Sequence, residues 1–533
     1  MTGPGADAEA PAPGLFSALR VRAFRVLLLA LLGANTALWL HTVVAQWVLT
    51  VGGASPAAVA GVQAALVLPF LVLALPVGHV VDSRGAGRMI PGAMAAMALA
   101  SAGLALVAAR GPVGSWLLIA ATAVLGCGLV LCIVGWQNRM PQLVGRERMG
   151  SAATLDGMVF NGARAIGPAV GGLLLAFLGA AWVFAVDALI FAAAAAICTR
   201  FPTPVRSDAT PPGSMGPAVR GGVRFVRHSP WMRRTLLRLV LFSLPAAAFW
   251  ALFPVIAHDV IGLGTVEFGL AFLVIGAGAV LGPALVQPVR RRWPVNVFVA
   301  VGCTGYAAGL VLVALDVPVA VLVVALFVIG TAWVTVQSAW LTGAHRVLPD
   351  WVRARSIALI LVVHQVCQGG GALLWGWIAD GLGVRTTAVI AGGVMAAAAL
   401  TAVRWGMLPV DGMDPSAAPS QFRNPVGDDR RAVLLVVEYR VDPCGVEPFM
   451  AALRLLEGTR RRLGAERWAA WREEGGPGHG GDAVLVVETF RMRSLVEWAD
   501  VQSRRWTVAE RRLLDDVLRH ALAAPGFRIL VET

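Results

Sequence analysis

From Val26 to Val81 the chain carries no formally charged residue. That is too long for one membrane crossing, which takes ~20 apolar residues. Gly52-Gly53-Ala54-Ser55-Pro56 interrupts it, so the stretch predicts two helices. The same alternation of apolar runs and short polar breaks continues. It predicts spans at 24–49, 56–81, 89–109, 115–137, 152–178, 181–199, 237–257, 266–289, 295–315, 317–341, 356–379 and 385–405. The breaks at 179–181 and 315–317 are the weakest. These twelve spans form two sets of six, separated by a polar segment, 200–235, that contains Pro202, Pro204, Pro211, Pro212 and several arginines.

After Met407 the pattern changes. Residues 409–431 read as a linker. Val433–Tyr439 alternates like a strand. Residues 445–463 place Phe449, Leu453, Leu456 and Leu463 on one helical stripe. Strands are expected at 465–472, 483–490 and Phe527–Val531, and a helical stretch at about 493–522, broken near Thr507. The order β-α-β-β-α-β predicts a ferredoxin-like unit. The fold class is thus an all-α polytopic membrane protein with a C-terminal α+β domain. Its parts are a tail (1–22), a six-helix half (23–199), a central loop (200–235), a second half (236–408), a linker (409–431) and the ferredoxin-like domain (432–533).

Composition agrees. The 533 residues are 57% hydrophobic and 14% charged, with a mean hydropathy of +0.73. A soluble domain is roughly 45–50% apolar and about 25% charged, so a soluble enzyme or a disordered scaffold is excluded. Residues 1–408 hold 12 acidic and 26 basic residues, and residues 409–533 hold 19 and 18. All 44 basic residues are Arg. They cluster in alternate loops rather than along one stripe, which is a topology signal and not a nucleic-acid footprint. Arg84 and Arg88, Arg139 to Arg148, Arg200 to Arg234, Arg290 to Arg292, and Arg346 to Arg355 share one side. Both termini are therefore expected in the cytoplasm of a bacterial inner-membrane protein. The first apolar run is too long for a signal-peptide core and reads as the first span. Of the six cysteines, five lie in apolar runs and none forms a CxxC, so neither a disulfide frame nor a metal site is expected.

Four stretches carry a family resemblance. They are Ser55–Gly78, Phe160–Gly172 followed by Gly179–Phe184, Val223–Pro230, and Val437–Pro443. On them the chain resembles the major facilitator superfamily, and within it the enterobactin-exporter-like transmembrane secretion effectors. The resemblance implies alternating access between two six-helix halves. Gly78-His79-Val80-Val81-Asp82-Ser83-Arg84-Gly85-Ala86-Gly87-Arg88 resembles the superfamily's loop motif after helix 2. There Gly78 would allow close helix approach, Asp82 would latch the cytoplasmic side, and Arg84, Gly85 and Arg88 would complete the gate. Ser83 departs from the basic residue of the pattern. Gly167-Pro168-x-x-Gly171-Gly172 matches the motif that the superfamily associates with antiporters. Pro168 removes a backbone hydrogen bond, and the glycines admit a neighbouring helix.

Arg164 lies four residues before Pro168, inside a span, where a charge needs a cavity or a partner. Asn161 is three residues earlier on nearly the same face. Asp187 sits in the apolar run of helix 6, and an Arg164–Asp187 interaction is one expectation; a wet position at the helix end is the other. Further polar candidates within spans are Asn35, His41, Gln46, Gln337, His364 and Gln365, of which His41 and His364 can titrate near neutrality.

The tail resembles a dimeric antibiotic-biosynthesis-monooxygenase-like module. Trp468, Trp471, His479, Trp498 and Trp506 are its possible reactive groups, but no nucleophile–base pair or metal spacing stands out. A regulatory or self-associating role is expected. No Walker or dinucleotide fingerprint occurs, and no cofactor is expected. The expected function is proton-coupled export of a siderophore, drug-like compound or secondary metabolite, with protons, the small-molecule substrate and the lipid bilayer as partners. Two other readings stand beside it: a solute symporter, and a membrane-anchored enzyme with catalysis in 432–533.

Overall fold

The computed structural model describes residues 14, 16–84, 87–145, 147–201, 223–408, 413–418, 431–473 and 483–532. The central loop and linker expected from the sequence lie largely outside them, as do Gly85 and His479. Among the described residues, twelve helices are long and apolar enough to span a bilayer. They are α1 (Arg22–Val51), α2 (Pro56–Val67 continuing as Pro69–Arg84), α3 (Met89–Ala108), α4 (Ser115–Val144), α5 (Met149–Leu178) and α6 (Ala180–Arg200) in the first set. The second set is α7 (Pro230–Val255, ending in a π turn Ile256–Val260), α8 (Thr265–Arg292), α9 (Val295–Val313), α10 (Val319–Val347), α11 (Asp350–Leu382) and α12 (Val384–Arg404).

Local chemistry explains the breaks. Ser55 caps α2 by accepting from the Ala58 N–H, and Pro56 opens that helix where no N–H is needed. Pro69 divides α2 after Leu68, because a proline cannot donate within the ladder. Gly179, at φ +79°, reverses the chain between α5 and α6, a conformation that costs a Cβ-bearing residue.

The fourth span was expected to stop at 137, with Arg139 in a basic loop. Instead α4 runs on to Val144, and Arg139 is buried within it. A hydropathy window ends at a charge, whereas the bundle interior can enclose one.

The chain divides into two compact units. The first is Met1–Pro212, Leu239–Gln337 and Val362–Arg404. The second is Gly213–Arg238, Ser338–Leu361 and Trp405–Thr533. The second unit contains β1 (Val433–Val441), α13 (Val446–Leu463), β2 (Arg467–Arg472), β3 (Val484–Met492), α14 (Leu495–Asp500), α15 (Val508–Arg519) and β4 (Gly526–Val531). The sheet is antiparallel in the order β2-β3-β1-β4. Phe449, Leu453, Leu456 and Leu463 of α13 pack into the core beneath it. Thr507 and Glu510 form a reciprocal capping box at the start of α15. Residues 413–418, expected to be free linker, join this fold: Ala418 N–H donates to Trp506 O and Val508 N–H to Ser416 O.

The most buried polar group of this sheet is Glu488, at zero exposure. It accepts from the Tyr439 hydroxyl (3.0 Å), from Arg460 Nε and Nη2 (3.0 and 3.2 Å) and from Trp468 Nε1 (2.9 Å). Arg460 also lies over the Phe490 ring. Burial first, and then the Glu488 carboxylate, push the Tyr439 phenol above its ordinary range. Three of the residues suspected of chemistry thus have structural tasks or partners: Trp468 binds Glu488, Trp471 Nε1 donates to Thr489 Oγ1, and Trp506 packs in the core. Glu488→Gln leaves the Arg460 cation buried and unpaired, which costs about 3–5 kcal/mol. The full chain in detergent is expected to show an earlier melting step for this variant. An unchanged thermal profile would contradict this account of the domain core.

Candidate functional site

Among the described residues of the first unit, most of the sequence candidates fall in two polar clusters. The first joins α1, α4 and α6. His41 and Asp187 are both fully buried, with Nδ1 and Oδ2 3.5 Å apart. Nε2 of His41 lies 3.2 Å from Thr122 Oγ1. The single hydroxyl proton of Thr122 is already donated to Leu118 O at 2.7 Å. Its oxygen can therefore only accept, which assigns a proton to Nε2 of His41. The remaining nitrogen faces the carboxylate, and the pair is electrically neutral only when it holds one further proton. Phe184 covers the imidazole at a centroid distance of 5.4 Å. Both members of the pair are shielded from solvent.

The second cluster surrounds Arg164 of α5. Its guanidinium carbon sits 4.8 Å from the ring of Trp39 (α1), 4.7 Å from Trp250 (α7) and 4.5 Å from Trp333 (α10). The cage therefore draws on both six-helix sets. Cation–π contact of this kind favours arginine, and more strongly where water is removed. Trp333 also meets Tyr306 of α9 and His364 of α11, at 6.3 and 5.8 Å between centroids. Tyr306 donates to Ala246 O, and His364 lies 3.0 Å from Ser243 Oγ and 3.5 Å from Gln337 Nε2. Beside the cage lies a cavity of about 40 Å³, lined by Arg164, Trp250, Trp333 and apolar residues of α8 and α10.

The two sets meet tightly at the end of the bundle that carries the α1–α2 and α7–α8 connections. Trp47 Nε1 donates to Thr265 Oγ1 (3.1 Å), and the Trp47 and Phe268 rings stack at 4.0 Å. Asp380 of α11 accepts from the Ala57 N–H of α2 at 3.0 Å, adding a negative charge at that helix N-terminus. The Gly167–Gly172 motif packs α5 on α1 and, at its last residue only, on α8 across the two sets. A Cβ at Gly167 would stand 2.8 Å from Thr36 O, and one at Gly171 3.1 Å from Leu40 of α1. At Gly172 it would overlap the Cα of Gly269 on α8. Pro168 lies within α5.

The sequence candidates divide accordingly. Arg164 and Asp187 do not pair: the carboxylate belongs with His41 and the guanidinium with tryptophans, because the two side chains leave different helices into different clusters. Nor is Asp187 at a wet helix end. His41, His364, Gln337 and Gln46 take part in polar contacts, with Gln46 Nε2 donating to Trp250 O at 3.2 Å. Asn35 donates to Leu31 O of its own helix, and Gln365 is half-buried. In the loop motif, no described atom lies within 4 Å of a Cβ at Gly78, so the expected close approach is absent among the described residues. Arg88 is exposed at the start of α3. The side chains of Asp82, Arg84 and Asn161 lie outside the described residues.

Sequence reasoning missed Trp39, Trp250, Trp333, Tyr306 and Thr122. It also missed Asp156, which accepts from Trp136 Nε1 at 2.8 Å. An abundance of tryptophan was visible, but nothing in the sequence singled out three that converge on one arginine.

Residues 13–531 match the family model of the transmembrane secretion effectors. No curated protein matches the chain. Among solved structures, the chain is similar to the nucleoside transporter NupG, with a TM-score of 0.58, 12% identity, and coverage of 73% of this chain and 100% of that one. A bacterial homologue of the human lysosomal transporter Spinster, in an inward-facing and occupied conformation, gives 0.56, 14%, 75% and 96%. The xylose transporter XylE of E. coli, inward open, gives 0.54, 12%, 73% and 96%. At these identities the likeness is one of fold.

Proposed function

The chain belongs to the transmembrane secretion effectors, with the fold of major facilitator transporters, and from that premise we propose that it is a proton-coupled exporter of small organic molecules. The His41–Asp187 pair carries this reading. A buried pair that gains or loses one proton can be loaded from one side and emptied to the other only if the bundle alternates its opening. The two halves, 23–199 and 236–408, rock so that the Gly172–Gly269 crossing closes and opens in turn, and the substrate enters at the caged Arg164. The arginine-rich alternate loops support a reading with both termini in the cytoplasm of a bacterial inner membrane. On that orientation the closed end is the outer one, so the state described is the one that receives a cytoplasmic substrate. Siderophores, drug-like compounds and secondary metabolites are the cargo implied by the enterobactin-exporter-like branch. The tail, a monooxygenase-like module, serves regulation or self-association; exposed Trp471, Phe527 and Leu530 support the latter.

Inside-out vesicles energised by respiration test the reading with a panel of catecholate, aromatic and amphiphilic metabolites. Uptake of at least one compound is expected, together with proton release and full sensitivity to an uncoupler. Uptake that ignores the uncoupler, or movement only in the opposite direction, would overturn it.

A further inference from the structure

Arg164 is a permanent cation, since its guanidinium does not deprotonate in proteins. It lies within a membrane bundle, yet among the described residues no carboxylate pairs with it. The acidic residue expected to neutralise it, Asp187, faces His41 instead. Three tryptophan faces soften the cost of burying the charge but do not cancel it, because the ring quadrupole supplies no net negative charge. A second deficit occurs at the same place. The Nε of Arg164 and the indole Nε1 atoms of Trp39 and Trp250 are all buried without a hydrogen-bond acceptor among the described residues. The unpaired cation of Arg164 borders the cavity, whose lining also includes Trp250 and Trp333.

We infer that this cage is the head-group subsite of the transported molecule, and that the molecule is an organic anion with a flat aromatic or similarly apolar body. The inference rests on the transporter reading above and assigns the charge of its cargo. An oxyanion would neutralise Arg164 and accept from its guanidinium N–H groups; a neutral compound can accept but leaves the charge uncancelled, and a cation adds to it. The cavity of about 40 Å³ has room for an oxyanion or a few waters at ~10–15 Å³ each, not for a whole aromatic molecule. The body of the ligand would lie against the tryptophan faces once the halves part at the other end. Because the cage takes Trp39 from one half and Trp250 and Trp333 from the other, an anion bound there touches both halves and can bias which way they open.

The test is equilibrium binding to the full chain in lipid nanodiscs, with no gradient. The probes are 2-naphthoate, its neutral isostere 2-naphthamide, and the cation 2-naphthylmethylammonium. Binding of 2-naphthoate is expected to be at least about 10-fold tighter than that of the amide, with the ammonium weakest. Arg164→Gln should abolish the difference between acid and amide. Arg164→Lys, which keeps the charge but loses the flat fork, should preserve the preference at lower affinity. Equal affinity for acid and amide, no binding of the acid, or unaltered acid binding by a folded Arg164→Gln chain would each overturn the assignment. If Arg164→Gln does not fold, the wild-type comparison and the Lys variant decide. Loss of the acid preference counts against this subsite alone, and uncoupler-insensitive uptake counts against proton coupling alone.

Discussion

Asp187→Asn is expected to lower uncoupler-sensitive uptake into inside-out vesicles by about 100-fold or more, the kinetic equivalent of about 3 kcal/mol. The variant is nearly isosteric, so packing against His41 and Phe184 should change little. What it removes is the site that changes charge. In the wild type the pair passes between net −1 and neutral as one proton comes and goes, whereas Asn beside a neutral His41 stays neutral throughout. The cycle can then run only as substrate exchange, and preloaded vesicles at equal pH should still exchange labelled for unlabelled compound at near wild-type rates. His41→Ala should fail in the same assay. The double variant should be no worse than either single one, because both remove the same proton. Gradient-driven uptake by Asp187→Asn within about twofold of wild type would show that the pair is structural, since a twofold change is below what loss of a coupling proton implies.

The physics of a bilayer explains what could be read from the chain and what could not. Depth is written in one dimension: about twenty apolar residues between polar breaks mark a span. Helix ends at Ser55-Pro56 and Gly179 are likewise local, and so is the alternation of β1 and β3. Azimuth is not local. In a soluble helix the polar stripe marks the outward face, but in lipid both faces are apolar and the pattern is silent. His41 and Asp187 could be singled out one at a time as costly residues in spans, yet their partnership depends on how α1 and α6 are rotated. Arg164 attracted an imagined partner, Asp187, because opposite charges in oil are expected to meet. The cage that actually receives it is built from residues 39, 250 and 333, each an unremarkable apolar position in its own helix. Arg139 fails for a related reason: a charge ends a hydropathy window whether it lies in water or inside the bundle.

Two glycine substitutions should separate stability from conformational choice, and the second is the larger test of alternating access. Gly330→Ala places a Cβ against Ile275 O, at a crossing of α8 and α10 inside one half. Relieving that overlap must push apart helices that stay together throughout the cycle. The expected outcome is a loss of stability of about 1–3 kcal/mol, read as a lower melting temperature in detergent. Gly172→Val instead places its bulk against the Gly269 Cα, at the crossing of α5 and α8 between the halves. That contact belongs to the closed end, and in alternating access it is the contact that must open. Strain there penalises only the state described here, so the folded protein should shift towards the opposite-facing state rather than unfold. A penalty of about 3 kcal/mol would change the ratio of the two states by roughly 100-fold. A cysteine placed at exposed Trp377, near the closed end of α11, supplies the readout beside a deeper cysteine at Trp333. A membrane-impermeant thiol reagent added from the outer side should label the Trp333→Cys site rapidly when Gly172→Val is present and slowly when it is absent. Labelling at Trp377→Cys should not change. Equal labelling of the deep site in both backgrounds, in chains with unchanged melting temperature, would mean that the α5–α8 seam does not govern which end is open.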